Sequence, residues 1–156
     1  MKKFLMLTVF VSSSCILLAQ SHKEEVDLFR SIFGMEKKEV VAEFIPLEGA
    51  SKDAFWKTYD EYEMKRRDLG KRRIELLNRY VSNYKTMDDG STDALVTDIV
   101  SLQKDTDNLV ATYYKKVKKA AGVQPAAKFY HIESYILSKV RSEIMENIPL
   151  IGEYDK

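Results

Sequence analysis

The chain has 156 residues, with 25 lysines and arginines against 24 aspartates and glutamates and a formal net charge of +1. So even a balance excludes the strong overall basicity of a polyanion-binding protein. A single cysteine excludes an intrachain disulfide, so stability has to come from an ordinary hydrophobic core.

The first residues, MKKFLMLTVFVSSSCILLAQ, place two lysines ahead of a short apolar run that closes on small residues. This reads as a secretory signal peptide over residues 1–19, with cleavage expected after Ala19. Serines interrupt the run and no charged stop-transfer segment follows, which disfavours a retained membrane anchor. Ser12, three residues before Cys15, stands where a lipobox carries leucine. Cleavage would remove Cys15, Lys2 and Lys3, leaving residues 20–156 as a single, cysteine-free domain of slightly acidic balance, periplasmic or secreted, with no stable membrane span.

From Val26 to Ile148 apolar residues recur at spacings of three and four, and alternating strand patterns are lacking. The expected fold class is all-α, a four-helix arrangement built on a long antiparallel helical hairpin. The first helix covers about 23–45, with Gly34 as a kink and Pro46 as its stop. The second covers about 51–87, capped by Ser51 and interrupted in pattern only by Gly70. Gly90 suits a left-handed turn after it, and Ser91 or Thr92 would cap a third helix over 92–121. Pro125 suits the first turn of a fourth helix over 124–147, which Pro149 ends.

The second helix carries two arginine doublets, Arg66-Arg67 and Arg72-Arg73, within an apolar pattern. A heptad-like seam runs through Phe55, Tyr59, Tyr62, Leu69, Leu76 and Tyr80, and Arg66 and Arg73 fall on it. Other basic residues each follow an acid by four positions: Glu61 and Lys65, Glu63 and Arg67, Asp68 and Arg72, Glu75 and Arg79. Such pairs make a self-neutralised outer face rather than a nucleic-acid patch.

A tight turn between the second and third helices predicts antiparallel packing, with Tyr80 opposite Ile99, Leu76 opposite Leu102, Leu69 opposite Leu109 and Tyr62 opposite Val117. Folding the fourth helix back in the same way brings Glu133 level with Tyr113 and Arg66. The expected structural polar layer is therefore Arg66, Glu133 and Tyr113, with Arg73 reaching Asp105 or Asp107. Such a layer fixes register more than it adds stability, because desolvation offsets the attraction of the charges. The alternative is that both arginines lay their stems on the core and expose their heads.

Catalytic and metal chemistry find little support. The two histidines, His22 and His131, are not at a metal-binding spacing, and no Glu-x-x-His motif accompanies the helical carboxylates. No catalytic, cofactor-binding or metal residues are expected, and the protein reads as a non-enzyme. The aromatics are more numerous than four helices can bury, and the KKVKK run at 115–119 could rim a surface for an acidic or unfolded polypeptide.

The segments YYKKVKKAAGVQPAAKFYHIE and PLEGASKDAFWKTYDEYE, with the signal peptide, hairpin and Lys-Glu faces, resemble the Spy/CpxP type of exported helical chaperones and stress modulators. The Leu-Thr-x-x-Gln signature of that group is replaced by Leu47-Glu48-Gly49-Ala50-Ser51 and Ala121-Gly122-Val123-Gln124-Pro125, so no functional residue carries over. The resemblance implies a periplasmic chaperone or envelope-stress modulator that binds unfolded polypeptides. The alternative is a structural or adaptor bundle with one dedicated protein partner, or a homodimer.

Overall fold

The structure, a computed structural model, describes residues 23–149; the expected signal segment and the tail from residue 150 lie outside the described residues. It is all-helical, with no strand among the described residues. Residues 23–33 form α1. They are followed by α2 (Lys37–Phe44), α3 (Gly49–Asn83), α4 (Asp89–Ala121) and α5 (Val123–Asn147).

Among the described residues five helices stand where four were expected, because the first one breaks. Gly34 adopts φ 71°, a left-handed conformation that closes α1, and its N–H bonds the Arg30 carbonyl at 2.8 Å. A new helix then starts with a reciprocal capping box between Glu36 and Glu39. Pro46 follows the end of α2 as expected from its effect on the preceding residue.

The other boundaries shift by a few residues. Glu48 rather than Ser51 occupies the N-cap of α3, and α3 ends at Asn83. Asp88 caps α4, its side chain accepting the Ser91 N–H at 2.8 Å, so Gly90 lies inside the first helical turn and not at a left-handed turn position. A carboxylate one position before the helix satisfies an orphan N–H and complements the helix dipole, which is why it displaces the later Ser and Thr from the cap.

With 35 residues, α3 is about 50 Å long at the usual helical rise. It runs antiparallel to α4: rings of Tyr62 and Tyr113 lie 5.4 Å apart, and ion pairs Arg72–Asp105 and Arg79–Asp98 cross at 2.7 Å. Tyr62 thus meets Tyr113, one turn before the expected Val117. Arg72 and Arg79 of α3 find acids on α4 instead of Asp68 and Glu75 four positions earlier in their own helix. Asp98 and Asp105 are presented to α3 by the packing of the hairpin itself.

The core is divided. A large cluster at one end joins Val41 and Ile45 to Phe55, Tyr59, Tyr62, Val110, Val117, Phe129 and Ile136. A small cluster at the other holds Leu76, Tyr80, Leu95 and Leu102. Helices α1 and α2 cover only the first: Leu28, Phe29, Ile32 and Phe33 of α1 and Val40 of α2 pack onto it.

Candidate functional site

Under α1 and α2, charged side chains enter the large cluster in alternating order. Glu133 of α5 is fully buried. Its carboxylate accepts the Lys37 ammonium at 2.8 Å on both oxygens, the Tyr62 hydroxyl at 2.7 Å and the Tyr59 hydroxyl at 3.2 Å. Lys37, the first residue of α2, also donates to Glu63 at 2.6 Å. Glu63 in turn accepts from Arg66 Nε at 2.9 Å, and Arg66 pairs with Glu25 of α1. Carboxylate and cation alternate from α5 through α2 and α3 to α1.

The local folding explains each position. Tyr59, Tyr62, Glu63 and Arg66 are neighbours at spacings of three and four on one side of α3. Gly70 comes one turn after Arg66, and a Cβ placed there would overlap the Glu25 carboxylate. The missing side chain leaves room for the Glu25 carboxylate of α1 beside Arg66.

The protonation states follow from burial and neighbours. Burial raises the hydroxyl pKa of Tyr59 and Tyr62 well above the ordinary value, and the charge on Glu133 raises it further, so both remain donors. Burial also pushes the Glu63 carboxyl up, but Lys37 and Arg66 outweigh it and hold it at about 2. Desolvation disfavours the Arg66 cation, yet Glu63 and Glu25 more than compensate and raise its pKa. Three carboxylates face two cations, and each cation lies between two carboxylates. This is the chemistry of a clasp that fixes α1 and α2 to the hairpin, around a cavity of about 320 Å³.

The residues of the expected polar layer separate. Glu133 and Arg66 both enter the network, but Glu133 is joined to Lys37 and the tyrosines, while Arg66 turns to Glu63 and Glu25. Tyr113 is buried beside Tyr62 with its hydroxyl unpartnered, and Lys116 lies 4.5 Å from its ring centre. Asp105 is bound by Arg72, not Arg73. Asp107 is exposed. Arg73 is half-buried, without an ion pair or hydrogen bond among the described residues.

Sequence reasoning missed Lys37, Tyr59, Tyr62, Glu63 and Glu25 as members. Two signals were present. Lys37 stands four residues from Phe33 and from Val41, both apolar, so no acid of its own helix can neutralise it at that spacing. Gly70 lies four after Arg66 and three before Arg73, on the inward side, where a missing side chain makes room for another element.

A second region lies on the outside of α4 and α5. Tyr114, Tyr130, His131 and Tyr135 line a shallow depression, with Tyr130 52 % and Tyr135 54 % exposed. Tyr114 and Tyr130 rings meet edge to face at 6.1 Å, and Phe33 reaches Tyr135 at 6.3 Å. Lys115, Lys118, Lys119 and Lys128 are exposed on the same two helices.

Among the described residues no group of three or more His, Cys, Asp or Glu side chains could hold a metal ion, and no helix is long and apolar enough to cross a membrane. Comparison with protein-family models, with curated proteins and with solved structures finds no match to this chain.

Proposed function

We propose that this protein is an exported, non-enzymatic helical protein that binds other polypeptides, with a chaperone-like or stress-modulating role of the Spy kind. The observation that carries the reading is the exposed aromatic depression formed by Tyr114, Tyr130 and Tyr135. Tyrosines supply large amphipathic contact area at low entropic cost, and are enriched in protein interfaces for that reason. Lysines on the same helices attract acidic segments of a client, which speeds encounter more than it tightens the complex. The buried charges contribute rigidity instead, because the clasp spends them on one another.

The test is suppression of aggregation of a chemically unfolded client by the full chain. Slowing is expected at equimolar protein, and the double variant Tyr130→Ser, Tyr135→Ser is expected to lose it while retaining its helical circular dichroism. If the unmodified chain does not slow aggregation at stoichiometric amounts, the chaperone reading fails.

A further inference from the structure

Next to the clasp cavity, with which it shares Arg73 and Leu137, and extending toward the tip of the hairpin, α3, α4 and the last turns of α5 line a cleft of about 560 Å³. Its walls are mainly apolar, with Leu76, Leu95, Leu102, Ile144 and Ile148 along them. Two guanidiniums also line it, Arg73 and Arg141. Neither makes an ion pair or hydrogen bond among the described residues, whereas Arg66, Arg72 and Arg79 of the same α3 are all paired. Glu25 attracts Arg73 through space, but its own ion pair is with Arg66.

An unpaired, half-buried Arg73 beside an apolar trough is unusual, since a half-buried cation is normally matched by an acid, and the exposed Arg141 adds a second positive charge at the same cleft. Burial lowers the pKa of Arg73, and the nearby charges of Arg66 and Arg141 oppose its protonation further. An anion placed between Arg73 and Arg141 would relieve that repulsion. A neutral apolar ligand would leave it in place, and a cation would increase it. The cleft volume lies within the usual range of small-molecule sites, which combine apolar walls with a few polar groups that orient the ligand.

We propose that this cleft binds a free long-chain carboxylate, the acyl chain lying along Leu76, Leu95, Leu102 and Ile144 and the head group held by Arg73 and Arg141. Each methylene buried against the leucines adds to affinity, while the guanidinium pair selects for the anionic head. The site is separate from the aromatic depression and does not depend on polypeptide binding.

The experiment is calorimetric titration of the full chain with monomeric oleate, oleyl alcohol and oleylamine, which share one acyl chain, and with phosphatidylglycerol vesicles as a further arm. Oleate is expected to bind at one site, with oleyl alcohol about tenfold weaker, the size expected for losing a charge-assisted hydrogen bond, and oleylamine weaker still. Arg73→Met and Arg141→Gln should each weaken oleate binding about tenfold on the same basis and leave oleyl alcohol unchanged. Arg141 is exposed, so its variant tests the proposal even if Arg73→Met folds poorly. Equal binding of oleate and oleyl alcohol, or no binding of oleate, would overturn it. Binding of vesicles without binding of free oleate would assign the cleft to a bilayer surface and overturn it equally. Oleate binding that appears only after removal of residues 150–156 would assign the cleft to the chain's own tail and overturn the proposal for the full chain.

Discussion

Lys37 and Glu133 stand at opposite ends of the described chain and meet at 2.8 Å, the ammonium reaching both oxygens of a carboxylate that has no access to solvent. A buried charge that keeps its partner costs little, and one that loses it costs a great deal. Lys37→Met is therefore expected to destabilise the protein by about 3 kcal/mol or more, the usual penalty for breaking a buried pair. The double variant Lys37→Met, Glu133→Leu should recover part of that loss, although the hydroxyls of Tyr59 and Tyr62 then lack an acceptor. Urea unfolding of the four members of the cycle measures the coupling; additive single losses would mean that the pair is not coupled.

The sequence reasoning placed Glu133 on the inward side of its helix and expected a basic partner, and both features are present. It assigned that partner to Arg66 because only level along the hairpin was considered. The real partner comes from α2, which covers the hairpin through the break at Gly34, and a periodicity argument along continuous helices has no access to that crossing. The α3–α4 packing was legible for a different reason: a short turn between long amphipathic helices leaves few alternatives to antiparallel contact. Of the ion pairs across it, Asp105 was expected to meet a cation of α3 but was assigned to Arg73 and not Arg72, and Arg79–Asp98 was not foreseen because Glu75, four residues before Arg79, offered an equally simple account.

Gly70→Ala sets two effects against each other. Alanine favours the helix by about 1 kcal/mol over glycine. Its methyl group, however, takes the place of the Glu25 carboxylate and separates it from Arg66. Net destabilisation is expected, with loss of α1 protection in hydrogen exchange. In a Glu25→Ala background the same substitution should become stabilising, and that change of sign is the measurement that identifies Glu25 as the cause.

Acid should loosen the clasp through Glu63. Its folded pKa, about 2, is below the ordinary 4.5, so the contribution is present above the unfolded value and is lost as pH falls from near 4.5 towards 2. The lost stability should be on the order of 2–3 kcal/mol from this group. Denaturant midpoints measured between pH 6 and pH 2 should fall across that window, and Glu63→Gln should flatten the dependence while lowering stability at neutral pH.

The exposed cross-helix pairs should matter far less. Arg79→Ala removes the contact to Asp98, in which both side chains are nearly half exposed. A loss below about 1 kcal/mol is expected, and it should shrink further in high salt as the charges are screened. Thermal melts at two ionic strengths distinguish this from a packing effect, which salt would not reduce.

The unequal division of the core makes the hairpin a body with one stiff end and one compliant end. Rings, buried charges and two extra helical segments brace residues around Tyr59 and Phe129, whereas the tip near Tyr80 and Leu95 rests on a smaller cluster, a Tyr80–Tyr84 ring contact and the exposed Arg79–Asp98 pair. Trp56, edge to face with Tyr59 at 5.4 Å between ring centres, sits in the braced half and reports on it. Amides near the tip should exchange through local opening well before that tryptophan senses unfolding. The molecule can thus change shape at its tip, next to the arginine-lined cleft, without loosening the end that holds it together.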